Sequence, residues 1–180
     1  ETTLEGKKPV IQGLGVGLAT GVTMIHLEDL SLDPVGKASC LMEVKSAVQM
    51  TSVTQKNLDL TGYLKLYYDN VAESSVSEFL FDGIYAQKMA NSGGDFIDFR
   101  QANNHGTMTI QNSTFFDGAR SFLRLDKGSF IRISVTNNTF ASFAVAEDGN
   151  NKGTLYVRAA ITDGFIYTNN LFLNETGSKA

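Results

Sequence analysis

The stretch TNNTF, Thr136–Phe140, decides the fold, because the chain writes it again as TNNLF at Thr168–Phe172 and in a near copy as QNSTF at Gln111–Phe115. Self-similarity at a period of some 20–50 residues is the mark of a repeat architecture. Anchored on the first asparagine of each phrase, the series Asn112, Asn137, Asn169 extends upstream to Gly83 in FDGIYA, Asn57 in QKNLDL and Asp29 in LEDLSL. The spacings are 28, 26, 29, 25 and 32 residues. All six anchors are residue types that tolerate a left-handed backbone. Apolar or large residues flank them, with Leu27, Gln55, Phe81, Ile110, Val135 and Tyr167 two before and Leu32, Leu60, Ala86, Phe115, Phe140 and Phe172 three after. The pattern reads as a strand, a one-residue turn and a second strand.

A third segment recurs between anchors, as CLMEVK (Cys40–Lys45), YLKLY (Tyr63–Tyr67), FIDFR (Phe96–Arg100), FLRLD (Phe122–Asp126) and TLYVR (Thr154–Arg158). Strict alternation turns Met42/Val44, Leu64/Leu66, Ile97/Phe99, Leu123/Leu125 and Leu155/Val157 inward. Several short strands per unit at this period predict an all-β chain wound as a single-stranded parallel β-helix of about six coils. Equivalent residues then stack roughly 4.8 Å apart. The asparagines are expected to form a ladder at one corner, with Phe115, Phe140 and Phe172 stacked inside. Residues 1–180 read as one domain, with 1–21 an irregular entry segment and a larger protein around it. GLGVGLATG (Gly13–Gly21) lacks the Lys-Ser/Thr of a phosphate loop.

Composition narrows the function classes. Of 180 residues, 42% are hydrophobic and 19% charged, which suits a globular domain rather than a disordered one. Net charge is -4 without a basic run, which argues against a nucleic-acid partner. No apolar stretch approaches the ~18 residues of a membrane span. The lone Cys40 excludes an internal disulfide and reads as a buried small apolar residue. The N-x-Ser/Thr triplets at Asn112 and Asn137 follow from the corner repeat and are not read as glycosylation sites.

On the repeated phrases TIQNSTF and SVTNNTF, the chain resembles the right-handed parallel β-helix of the pectate lyase-like (pectin lyase-like) superfamily, notably uncharacterised secreted members from gut Bacteroidetes. The resemblance spans nearly the whole chain, best from Phe79 to Phe172. It implies an extracellular or cell-surface bacterial protein acting on polysaccharide, with the substrate groove on the sheet built from FIDFR, FLRLD and TLYVR.

Three outward columns follow on that sheet. The first holds Tyr63, Phe96 and Phe122, an aromatic column either covered by a loop (141–152 or 86–94) or serving as a platform for sugar rings. The second holds Glu43, Lys65, Asp98, Arg124 and Tyr156, and the third Lys45, Tyr67, Arg100, Asp126 and Arg158. Charges alternating across neighbouring strands support register. They could equally form a strip on which Arg and Lys hold uronate carboxylates or sulfates. A lyase would need a base beside the uronate and a neutralising partner for its carboxylate. Arg124 is the candidate base or carboxylate partner, with Lys127, Arg100 or Arg158 assisting and His105 as the histidine near this edge. Family members often use calcium for the second task, but the carboxylates here do not cluster as calcium prefers, and no cofactor is expected. A hydrolase would need converging acidic residues, which the pattern lacks. His26 alternates outward, away from the groove sheet. Three readings stand: a carbohydrate-recognising β-helix on a polysaccharide, acidic sugars included; an active polysaccharide lyase; and a structural rod. The open ends of such a helix would invite self-association or a neighbouring domain.

Overall fold

The computed structural model describes residues 7–35, 40–89, 94–118, 120–143 and 153–173. Every strand is paired in parallel and three sheets run the length of the molecule. Along each turn the chain visits them in the same order. Sheet 1 contains Val16–Leu18, Cys40–Val44, Lys65–Asp69, Ile97–Phe99, Leu123–Leu125 and Leu155–Val157. Sheet 2 contains the longer Met24–Glu28, Gln49–Lys56, Ser75–Asp82, Asn104–Gln111, Ser129–Thr136 and Ala160–Thr168. Sheet 3 has seven strands, Val10–Gln12, Ser31–Asp33, Asp59–Thr61, Tyr85–Gln87, Thr114–Gly118, Thr139–Phe143 and Leu171–Leu173. The molecule is a parallel β-helix of three strands per turn. The entry segment is more regular than expected, since Val10–Gln12 and Val16–Leu18 already pair with the next turn.

The corner between sheets 2 and 3 is where the repeated phrase sits. All six anchors have positive φ: Asp29 58°, Asn57 49°, Gly83 65°, Asn112 53°, Asn137 58° and Asn169 57°. The flanking positions stack in register as the spacing requires. Leu27, Gln55, Phe81, Ile110, Val135 and Tyr167 are successive partners on sheet 2. Leu32, Leu60, Ala86, Phe115, Phe140 and Phe172 are partners on sheet 3. Phe115 stacks on Phe140 at 5.6 Å and Phe140 on Phe172 at 5.1 Å.

The ladder is double. An outer rail joins two pairs of anchors, with Asn57 donating to Asp29 and Asn169 donating to Asn137 at 2.6 Å, while Asn112 donates instead to Asp82 at 2.9 Å. The buried rail lies one residue later. The Asn138 side chain accepts from Ser113 N–H at 3.0 Å and donates to the Ile110 carbonyl at 3.0 Å and to Asn170 Oδ1 at 3.1 Å. Asn170 in turn donates to the Val135 carbonyl. These side chains satisfy main-chain groups that the sharp corner removes from the sheet ladder, as buried polar groups require.

Two neighbouring turns approach closely at sheet 2. A Cβ on Gly106 would lie 1.9 Å from the Ser77 carbonyl oxygen, so only glycine fits there.

Candidate functional site

Sheet 1 presents its outer face as one charged strip. The Ile97–Phe99, Leu123–Leu125 and Leu155–Val157 strands pair as the alternation predicts, aligning Asp98, Arg124 and Tyr156. The strand before them does not. Tyr68, not Lys65, is the register partner of both Asp98 and Glu43. The segment slides by three residues, and an odd slide exchanges faces. Tyr67, expected outward, is therefore fully buried, and lies 5.2 Å from Phe99. Lys65 is nearly buried, yet its ammonium reaches the strip to pair with Asp98 and lies 4.2 Å above the Tyr68 ring.

The aromatic column is also corrected. Tyr63, Phe96 and Phe122 are buried rather than outward. Phe96 and Phe122 stand just before their strands, where the chain is still turning the corner and alternation does not apply. Their rings pack on Phe115, Phe122 on Phe140 as well. The Tyr63 hydroxyl donates to the Leu14 carbonyl at 2.9 Å. They supply no sugar platform. Of the covering loops considered, 90–93 and 144–152 lie outside the described residues.

The strip is held by carboxylates. Arg100 meets Asp98 through both Nε and Nη2, at 2.8–3.1 Å. Arg124 donates to Asp95 at 3.1 Å and to Asp126 at 2.9 Å, with its Nε 3.9 Å from Asp98. Arg158 bonds Asp126 at 3.3 Å and the Tyr156 hydroxyl at 3.2 Å. Guanidinium groups also lie over aromatic faces, Arg100 over Tyr68 at 5.5 Å and Arg124 over Tyr156 at 5.6 Å. Glu43 and Lys45 pair with each other at one end. Asp95 and Asp98 are buried while Arg158 is 64% exposed, so the network grades from an enclosed centre to an open rim.

Electrostatics fix these charge states. Burial works against the charge of Arg124, but its hydrogen bonds to Asp126 and Asp95 outweigh it and raise its pKa. Burial likewise pushes the Asp126 carboxyl up, yet Arg124, with Arg158 and Lys127 behind it, holds it below its ordinary value. Hydrogen bonding to Asp98 raises Arg100. A guanidinium so held donates and attracts, and it is a poor proton acceptor. Lys127 is exposed beside Asp126.

His105 is not at the solvent edge. It is buried inside the corner between sheets 1 and 2, stacked on Phe130 at 4.9 Å and edge-on to Phe99 at 5.0 Å. Val76 N–H donates to its Nδ1 at 3.2 Å, leaving Nε2 as the protonated nitrogen, 3.6 Å from Asp69 Oδ2. Burial lowers its pKa to about 4. Asp69, whose carboxyl burial pushes up, accepts from Val71 N–H and from the Asn103 amide. This is a buried polar cluster of His105, Asp69 and Asn103. Cys40 is only half-buried, and burial raises its thiol to about 11. His26 is outward and pairs with Glu28.

Sequence reasoning missed Tyr68, Asp95 and Asp69. The pairing of Tyr67 with Ile97 would have exposed the first. Asp95 sits in a non-repeating segment, so no column pointed to it. Among the described residues, no group of three or more His, Cys, Asp or Glu side chains converges as a metal site, and no helix is long and apolar enough to cross a membrane.

The fold and this face together define a parallel β-helix with a charged, tyrosine-flanked strip along one sheet. In comparisons with protein-family models, curated proteins and solved structures, nothing matches this chain.

Proposed function

We propose that the outer face of sheet 1 is a recognition surface for an acidic glycan, on a β-helix that works outside or on the surface of a bacterial cell, in the manner of the pectate lyase-like proteins it resembles. The observation that carries the reading is the strip itself. Four cations, Lys65, Arg100, Arg124 and Arg158, face three carboxylates, Asp95, Asp98 and Asp126, and are held in fixed positions by them. Guanidinium groups held in place by these carboxylates can offer their remaining N–H donors to carboxylates and sulfates, because little side-chain freedom is lost on binding. Tyr68 and Tyr156 stand three turns apart on the same column, roughly 14 Å at the strand spacing, and flank the strip along the path of an extended chain. Binding rather than catalysis is favoured because Arg124 is held protonated and His105 is enclosed.

The test is affinity electrophoresis of the purified chain in gels carrying polygalacturonate, chondroitin sulfate or a neutral dextran, with ultraviolet absorbance followed in parallel. Retardation by an acidic polymer that weakens with salt, without absorbance growth, is the expected result. Growth of the absorbance of an unsaturated uronate would make the protein a lyase. No retardation by any acidic polymer would leave the structural rod.

A further inference from the structure

Beside the strip, where sheet 1 turns into sheet 2, three successive turns leave a depression of about 450 Å³. Its chemistry is unlike the strip's. Amide and hydroxyl side chains line it, from Gln49, Ser75, Gln101, Asn103 and Asn104, together with the carboxylate of Glu73 and two alanines, and no lysine or arginine. Gln101 directly follows Arg100 in the chain, so the depression adjoins the basic edge of the strip.

The rim is built rather than loose. The Gln49 amide donates to the Glu73 carbonyl at 2.8 Å and its oxygen pairs with the Ser75 hydroxyl at 2.5 Å. Asn103 is buried; its oxygen accepts from Ser74 N–H and its amide donates to the Val71 carbonyl. Gln101 is braced on Asn70, and Asn104 accepts from the Ser129 hydroxyl through its oxygen. Glu73 is held at φ 63°, a left-handed conformation unusual for a residue that is neither Gly, Asn nor Asp. Among the described residues, nothing pairs with the Glu73 carboxylate or the Asn104 amide nitrogen.

We propose that this depression is a subsite for a neutral sugar unit, so that the glycan of sheet 1 is a mixed one with acidic and uncharged residues. The inference rests on the reading of sheet 1 as a glycan face. The Glu73 carboxylate accepts from hydroxyl groups, and the amides around it both accept and donate. It repels a uronate or a sulfate. Two alanines are too little apolar surface to anchor a peptide side chain, whereas a ring with several hydroxyls can satisfy Glu73, Gln101 and Asn104 together.

The experiment is amide NMR titration of the whole chain with glucose, galactose, mannose, xylose and N-acetylglucosamine, and separately with oligogalacturonate. The expected result is that at least one neutral sugar shifts the amides of residues 73–75 and 101–104. The Gln101→Ala/Asn104→Ala variant should weaken that binding about fivefold or more, at roughly 1 kcal/mol for lost hydrogen bonds. Lys56→Ala, whose side chain pairs with Glu28 at the far end of sheet 2, should leave it unchanged. If no neutral sugar shifts these amides, or if the double variant binds as wild type, the subsite is overturned, whether or not oligogalacturonate still binds the strip. If neutral sugars bind here while oligogalacturonate shifts nothing on sheet 1, the subsite stands and the acidic-glycan reading falls.

Discussion

Two arginines on one strip do different work. Arg158 is open to solvent and, among the described residues, its side chain bonds Asp126 and Tyr156, whereas Arg124 ties buried Asp95 to Asp126. Arg158→Ala should leave the urea midpoint unchanged and weaken acidic-glycan binding about two- to fivefold, read by calorimetric titration. Arg124→Ala, which alternation alone presents as a harmless outward substitution, leaves Asp95 buried without its closest cation and should cost about 3 kcal/mol in urea unfolding. Equal stability of the two variants would refute the distinction. His105 gives a pH dependence. Its folded pKa, about 4, lies below the ordinary 6.5, so the unfolded chain takes up the proton first. His105 therefore contributes stability that is present above about 6.5 and is lost as pH falls towards 4, at most about 3 kcal/mol by linkage. Asp69 runs the other way, its raised pKa costing stability as pH climbs above 3.8. Urea midpoints between pH 4 and 7 should slope downward on acidification in wild type, and the His105→Gln variant should lose that component of the slope. Parallel profiles would exclude His105 as its source.

At the scale of elements, the corner between sheets 2 and 3 separates the conspicuous residue from the structural one. Asn137 is exposed and supplies a left-handed φ plus one outer-rail bond; Asn138 is buried and satisfies three neighbours across two turns. Asn138→Leu strands Ser113 N–H and the Ile110 carbonyl and should cost about 2–4 kcal/mol. Asn137→Leu should cost about 1–2 kcal/mol for the left-handed backbone, and Asn137→Gly almost nothing. Thermal melting ranks the three, and Asn137→Leu falling below Asn138→Leu would overturn the buried rail. The phrase was legible because a one-residue turn admits few residue types, so six anchors and twelve flanking positions could be aligned without coordinates. The rail's depth was not legible, since TNNTF offers two adjacent asparagines and only packing tells which faces inward. Sheet 1 shows the converse limit. LKLYYD alternates equally well in two registers, and the choice that buries Tyr67 against Phe79 and Phe99 depends on ring contacts from other strands. Phe96 and Phe122 failed for a related reason, because period-two alternation has no meaning on a residue still rounding a corner.

The whole molecule is a stack whose interior columns run out at its last described turn. Phe165, Ile166, Leu171 and Leu173 are exposed there, and the strands Leu155–Val157, Ala160–Thr168 and Leu171–Leu173 are each last in their sheets. At the opposite end Val10 and Met24 are exposed on the first strands of sheets 3 and 2. Apolar edge strands pair with whatever continues the sheet, a further stretch of the same protein or a second copy, and for residues 1–180 on their own a second copy would add head to tail. A head-to-tail contact does not close on itself, so it produces growing oligomers rather than a dimer. Sedimentation velocity of residues 1–180 on their own, over a range of concentrations, should show a weight-average size that keeps rising. Lysine at Phe165 and Leu171 should hold the protein at the monomer size, because a charge on each of two edge strands opposes strand addition. A discrete dimer would point instead to a two-fold contact on a side face, and a monomer at every concentration would mean that the edge is already covered.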